Sequence, residues 1–210
     1  MAREKTGEVV GYVLAGGASS RFGEDKALAE LAGQTMLVRT AKLLSTAVPN
    51  TKIVSSTEKL DKAVFETIQD KWPGEGPLGG ILTGMSDANK SGSEGTLALV
   101  LSCDMPFLTA EWLRFMVERA LQSGAEAVVP KSAHGWEPLC ACWRVSAVEM
   151  MLPLFEAGTR KVTDALNVLR VEVLDEKDWK RFDTNGRLFW NMNTRADYEE
   201  ARRVLAAERR

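Results

Sequence analysis

Apolar residues along this chain fall into short unbroken runs, separated by longer stretches in which they recur every three or four positions. The first run, Val9-Val10-Gly11-Tyr12-Val13, reads as a strand covered on both faces. Residues 52–55, a weaker run at 64–68 and the long run at 96–103 read as further strands. Helices lie between them. Thr35 opens one in which Met36, Leu43, Leu44 and Ala47 share a face and which Pro49-Asn50 ends; a short one starts at Glu58. Pro77 suits the first turn of the next, which stops near Asn89. Thr109 caps another, with Leu113, Met116, Val117, Ala120 and Leu121 facing inward and Ser123-Gly124 as its stop. This order predicts a three-layer α/β/α, Rossmann-like, mostly parallel sheet.

The second half adds one change of direction. Strands at 126–130 and 139–143 are joined by a turn too short for a parallel crossover, so the pair is expected to be antiparallel. Ser146 with Glu149 forms a capping-box pattern, and Pro153 makes the helix that follows short or kinked. The loop at 157–161 carries adjacent positive charges at Arg160 and Lys161. A helix at 162–169, a strand at 171–174 and a last helix capped by Thr194 and Asp197, with Tyr198, Ala201 and Leu205 inward, complete the pattern. A chain of 210 residues is most simply one domain over 1–210, with a first half of about 8–108 and a second of about 109–210.

Composition narrows the chemistry. A net charge of −2 lacks the clustered basic excess of a nucleic-acid footprint. No apolar run approaches the roughly 20 residues that span a bilayer, and the first residues lack a signal-peptide core, so a soluble, cytoplasmic protein is expected. Cys103, Cys140 and Cys142 contain no C-x-x-C pair and read as reduced core thiols, the last two on one face of a strand. His134 is the single histidine, which leaves carboxylate, Lys and Arg chemistry.

The first strand opens into Leu14-Ala15-Gly16-Gly17-Ala18-Ser19-Ser20-Arg21-Phe22-Gly23-Glu24-Asp25-Lys26. Gly16 and Gly17 let the backbone approach a ligand closely, and consecutive N–H groups in such a turn cradle an anion. Arg21 and Lys26 add a charged fork and a point charge, which makes a polyphosphate grip. The spacing is neither G-x-G-x-x-G nor a Walker A loop. The apolar strand at 96–103 ends in Asp104, where an open α/β sheet binds its ligands and where Mg²⁺ takes one or two carboxylates with phosphate oxygens. Gly79 and Gly80, in the first turn of their helix, imply close approach by a ligand or by the 14–17 loop, against the plainer reading of tight helix–sheet packing. Asn191 and Asn193, spaced i, i+2, either read a polar ligand edge or satisfy local backbone.

These pieces suit nucleotidyl transfer, in which a phosphate oxygen attacks the α-phosphorus of a nucleoside triphosphate and pyrophosphate leaves. The attacking phosphate is already deprotonated, so no histidine base is needed and catalysis is positioning with charge stabilisation. Arg21 and Lys26 would neutralise the phosphates, Asp104 would hold the metal, and the 14–17 backbone with Asp70 would hold base and sugar.

The loop closely resembles the L-A-G-G-x-S-x-R-M-G-x-D-K signature of nucleoside-triphosphate transferases, with Phe22 in place of Met. Over nearly the full length the chain resembles the molybdenum cofactor guanylyltransferase family. The resemblance rests on that loop, Asp70 with Gly76-Pro77-Leu78-Gly79-Gly80, Cys103-Asp104-Met105-Pro106, Glu137-Pro138-Leu139, Gly158-Thr159-Arg160-Lys161 and Asn191-Met192-Asn193-Thr194. It implies transfer of GMP from GTP to molybdopterin with Mg²⁺ at Asp104, and cofactor carriers or recipient molybdoenzymes as protein partners, with no nucleic acid or membrane. It implies nucleotide contacts at Leu14, Ala15, Gly16, Gly17, Lys26, Ser55, Asp70 and Asp104, and acceptor contacts at Gly79, Arg160, Lys161, Asn191 and Asn193. Two departures stand out: Ser55 where the family often has Asn, and Lys161 where Arg is common. The sister enzyme that uses CTP, transferases acting on sugar or polyol phosphates, and a non-catalytic nucleotide-binding regulator are the alternatives.

Overall fold

A computed structural model describes residues 7–15, 26–56, 64–91 and 95–207, with the backbone alone for Lys26 and Ser91. The predicted helix from Glu58 and residues 16–25 of the glycine loop lie outside the described residues.

In chain order, β1 is Val9–Leu14, β2 Glu30–Leu31, β3 Gln34–Thr35, α1 Met36–Ser45, β4 Thr51–Ser55 and β5 Glu66–Gln69. Then come α2 at Pro77–Ala88, β6 at Leu97–Ser102, α3 at Ala110–Gln122, β7 at Ala127–Ser132, β8 at Gly135–Trp136 and β9 at Cys140–Arg144. The last elements are α4 at Val148–Glu156, α5 at Val162–Ala165, β10 at Val171–Leu174, α6 at Glu176–Trp179 and α7 at Arg195–Ala207. The main sheet runs β10-β7-β9-β6-β1-β4-β5, with β8 hairpinned onto β7, and β2 and β3 form a separate small hairpin. β1 pairs parallel with β4 and β6, β4 with β5, and β7 with β10. β9 runs antiparallel between β6 and β7, as the short turn at 132–137 predicts.

Strand parity divides the core. Val13, Ile53, Leu99, Leu101, Val128, Cys140 and Cys142 face α1 and α3. Tyr12, Leu14, Val54, Ala98, Val100, Val129, Ala141 and Trp143 face α2 and α4. Cys140 and Cys142 therefore share a buried face, and burial pushes the Cys140 thiol up to about 12, so it stays protonated. Thr35 and Thr109 cap their helices through Val38 N and Trp112 N, and the Thr194–Asp197 box forms in both directions.

Three local expectations change. Ser146 caps nothing: it lies inside a 3-10 turn, Val145–Ala147, and Ala147 precedes α4 without a side-chain cap. The buried Val145 and its N–H bond to the Thr96 carbonyl at 3.0 Å fix that corner instead. On α3, Leu121 is exposed and Trp112 is fully buried. Trp112 stacks among Phe115, Phe182 and Phe189 with ring centroids 5.5–5.7 Å apart, and so large a ring rotates the buried stripe toward itself. The helix foreseen over 162–169 is α5 followed by a separate 3-10 turn, Leu166–Val168.

Candidate active site

The carboxyl ends of β6, β1, β4 and β5 lie side by side on one sheet edge, where doubly wound sheets bind ligands. β1 ends at the buried Leu14, and Ala15 N donates to the Val54 carbonyl at 2.9 Å as the chain leaves toward residues 16–25. Gly16, Gly17 and Arg21 lie outside the described residues, and Lys26 opens a 3-10 turn, Lys26–Leu28. Gly80 of α2 packs directly beneath Leu14, whose methyls lie 3.2 Å from where a Cβ on Gly80 would sit. Gly79 meets Trp72 and Phe155 in the same way, at 3.2 and 3.5 Å. Both glycines thus serve close packing, Gly80 against Leu14 at the end of β1.

One corner of this edge belongs to Asp70. Its N–H donates to the Ser55 carbonyl at 2.9 Å, joining the ends of β4 and β5. The Ser55 side chain is buried. Asp70 Oδ1 accepts from Trp72 N at 3.0 Å and from the Thr83 hydroxyl at 3.1 Å. Thr83 is buried on α2 and accepts from Lys71 N at 3.1 Å. Asp70 Oδ2 has no partner among the described residues.

The other corner belongs to Asp104. Three strand steps separate β6 from β5, so the ends of these two strands lie about 14 Å apart along the edge. Met192 N donates to the Asp104 carbonyl at 2.9 Å, which brings the Asn191–Asn193 stretch beside this turn. Asp104 Oδ1 is buried and has no hydrogen-bond partner among the described residues. Such an atom costs about 1–3 kcal/mol unless something binds it.

Beside it stands Glu137, 6% exposed, for which the sequence suggested no role. Its Oε1 accepts from Ser132 Oγ at 2.7 Å. Burial pushes the Glu137 carboxyl up and the nearby Asp104 charge adds to this, while Ser132, His134 and Asn191 oppose it. The sequence signals were its place in the Glu137-Pro138-Leu139 motif, to which no role was attached, and a charged residue immediately before Pro138 and a buried strand. Asn191 Nδ2 also donates to the Phe189 carbonyl at 3.3 Å. Asn193 is exposed, and its N–H donates to Asp197.

The cationic loop of the second half faces the loop that precedes α2. Arg160 Nε donates to Glu75 Oε2 at 2.6 Å, Nη1 donates to the Phe155 carbonyl at 2.7 Å, and the guanidinium lies 4.2 Å from the Phe155 ring centre. Lys161 is exposed immediately before α5. Trp136 lies beneath Lys131, and Trp190 packs on Phe107. Among the described residues no three His, Cys, Asp or Glu side chains gather into a metal-binding cluster.

Residues 11–172 match the model of the MobA-like NTP transferase domain. The chain belongs to that family. It is 32% identical over 206 residues to a molybdenum cofactor guanylyltransferase of Desulfosudis oleivorans, an alignment covering 96% of this chain and 98% of the relative. A probable molybdenum cofactor guanylyltransferase of Bacillus cereus is 30% identical over 204 residues, covering 94% and 98%. Among solved structures, molybdopterin-guanine dinucleotide biosynthesis protein A of Archaeoglobus fulgidus superposes with a TM-score of 0.80 at 27% identity over 94% of this chain and 98% of its own. A 4-diphosphocytidyl-2C-methyl-D-erythritol synthase from Anaerococcus prevotii shares the fold alone, with a TM-score of 0.69 at 13% identity over 95% and 96%. The MobA-like chain is a nucleotidyltransferase with the mostly parallel, helix-flanked sheet that its sequence predicts.

Proposed function

We propose that this chain transfers GMP from GTP to the phosphate of molybdopterin, releasing pyrophosphate and forming the guanine dinucleotide cofactor. The observation that carries this reading is end-to-end similarity to curated guanylyltransferases, at 30–32% identity over 94–96% of the chain. The sheet edge supports it: Asp70 offers an unused carboxylate oxygen suited to the N1–H and amine of guanine, and Asp104 offers one suited to a cation. In this reading one domain works as two halves, with the nucleotide on about 8–108 and the acceptor on about 109–210. Leu14, Ala15, Gly16, Gly17 and Ser55 line the nucleotide.

A buried carboxylate oxygen without a partner among the described residues fits Mg²⁺, a hard cation satisfied by one or two carboxylates, waters and phosphate oxygens. Asp104 would hold it; when bound there, Mg²⁺ supplies charge neutralisation to the phosphates. Arg21 and Lys26 orient the triphosphate and take up charge that develops on the leaving pyrophosphate. Arg160, Lys161, Asn191 and Asn193 receive the pterin, and Gly79 acts there only through its close packing on Trp72 and Phe155. The protein works in the cytoplasm, handing its product to cofactor carriers or recipient molybdoenzymes. No helix among the described residues is long and apolar enough to cross a membrane.

The test is Mg²⁺-dependent pyrophosphate release with molybdopterin and each of GTP, CTP, ATP and UTP. Turnover with GTP alone is expected. Preference for CTP overturns the choice of nucleotide, and binding without turnover overturns the enzyme reading.

A further inference from the structure

We infer that Thr83 is the positioning residue that sets base selectivity, by forcing Asp70 to read the base through one oxygen. The inference deepens the function proposed above and rests on Asp70 as the base contact. A hydroxyl has one proton to donate. Because Lys71 N already donates to Thr83 Oγ1 at 3.1 Å, that proton has Asp70 Oδ1, also 3.1 Å away, as its acceptor. Oδ1 takes a second bond from Trp72 N at 3.0 Å, so both of its lone pairs are filled. Oδ2 alone remains, and its two lone pairs sit at one point.

The donor set that satisfies such an atom is two N–H groups side by side. Guanine presents N1–H beside its exocyclic amine. Hypoxanthine keeps N1–H and lacks the amine. Adenine and cytosine place a ring-nitrogen acceptor next to their amine, which faces the carboxylate with a lone pair. Thr83 is 2% exposed on a helix packed tightly on β1: a Cβ on Gly84 would lie 2.9 Å from the Tyr12 ring, and one on Gly80 would lie 3.2 Å from Leu14. The hydroxyl is therefore held by the scaffold, and it transmits that rigidity to a carboxylate on a loop.

The experiment is equilibrium binding of GTP and of inosine triphosphate, with Mg²⁺ and without acceptor, to the full chain and to Thr83→Val, Thr83→Ser and Asp70→Asn, with Tm recorded for each. Thr83→Val removes the hydroxyl at nearly constant volume. It is expected to weaken GTP binding on the order of ten-fold, the scale of one hydrogen bond to a charged group, and to shrink the GTP-to-inosine-triphosphate ratio. Thr83→Ser is expected to keep both near the parent values. An unchanged ratio in Thr83→Val, whatever its Tm, overturns the inference, as does a ratio lost in Thr83→Ser. If Asp70→Asn loses the ratio and Thr83→Val does not, the inference fails and the reading of Asp70 stands. If Asp70→Asn keeps the ratio, the reading of Asp70 fails and takes the inference with it.

Discussion

Asp70 and Asp104 stand on the same sheet edge, each just beyond the end of a parallel strand, and they are built to opposite rules. Asp70 has one oxygen saturated by a backbone N–H and a buried hydroxyl, and its other oxygen has no partner among the described residues. Asp104 has an oxygen that is buried and bonded to nothing among the described residues. A carboxylate that must recognise a shape is clamped so that it cannot turn. One that serves a cation keeps an unsatisfied atom, whose cost is recovered only when the cation arrives. Under the function proposed above, the contrast separates recognition from charge work more sharply than residue type does.

The largest effect tests Asp104. Asp104→Ala is expected to lower kcat on the order of 10²–10³-fold, as for loss of a preorganised charge-stabilising group. Tm should be unchanged or slightly higher, because the substitution deletes a buried oxygen that has no partner among the described residues. Pyrophosphate release and a melting curve measure both. A Tm that falls together with the rate would make Asp104 a structural turn residue. Next comes Asp70→Asn, expected to weaken GTP binding by roughly ten- to a hundred-fold while kcat at saturating GTP changes little. Equal kcat losses at the two carboxylates would erase the distinction between them.

How far the sequence showed this arrangement depended on whether local rules set the outcome. Parallel strands covered on both faces appear as unbroken apolar runs, so β1, β4 and β6 were visible, and the short turn at 132–137 exposed the antiparallel β9. Asp104 was legible because it follows the longest apolar run. Thr83 was not: one Thr in an apolar helix gives no sign that its hydroxyl reaches a carboxylate 13 residues away. Glu137 was hidden for the same reason, since its neighbour Asn191 lies far along the chain. Ser146 carried a proper local capping signal that the buried corner at Val145 overrode.

A smaller effect sharpens the acceptor side. Arg160 and Glu75 are both more than 40% exposed, so their ion pair contributes only about 0–1 kcal/mol. Arg160 can exchange that carboxylate for a phosphate at little cost. Arg160→Ala is expected to raise KM for molybdopterin about ten-fold and leave GTP binding unchanged. Glu75→Gln is expected to lower the same KM, because it removes the competing partner. Initial rates at varied acceptor concentration decide this, and an equal rise in both substrates' KM would place Arg160 outside the acceptor half.

The effect expected to be smallest on ligand binding, though not on stability, falls at the far end of α2, where Asp87 ties the helix to the sheet. Its carboxylate accepts from Tyr12 Oη and Lys52 Nζ at 3.0 Å and from Lys90 Nζ at 2.9 Å. Burial alone raises the Asp87 carboxyl, but the donors on Lys90, Lys52 and Tyr12 outweigh burial and hold it below its ordinary value of 3.8. A carboxyl lowered on folding adds stability that is complete above its unfolded value and is lost as pH falls through its folded one. Asp87→Asn should therefore cost about 2 kcal/mol at neutral pH, and progressively less below about pH 4, where the parent chain loses the same term. Thr83 lies one helical turn away on the same helix, so the variant also asks whether the anchored end of α2 supports the reading end. GTP binding by Asp87→Asn below its melting range should match the parent chain, because Thr83 is fixed locally by Lys71 N and by the close packing at Gly80 and Gly84. Weaker binding in a fully folded variant would mean that the two ends of α2 act as one unit, and that the rigidity of the Asp70 corner is set by the whole helix.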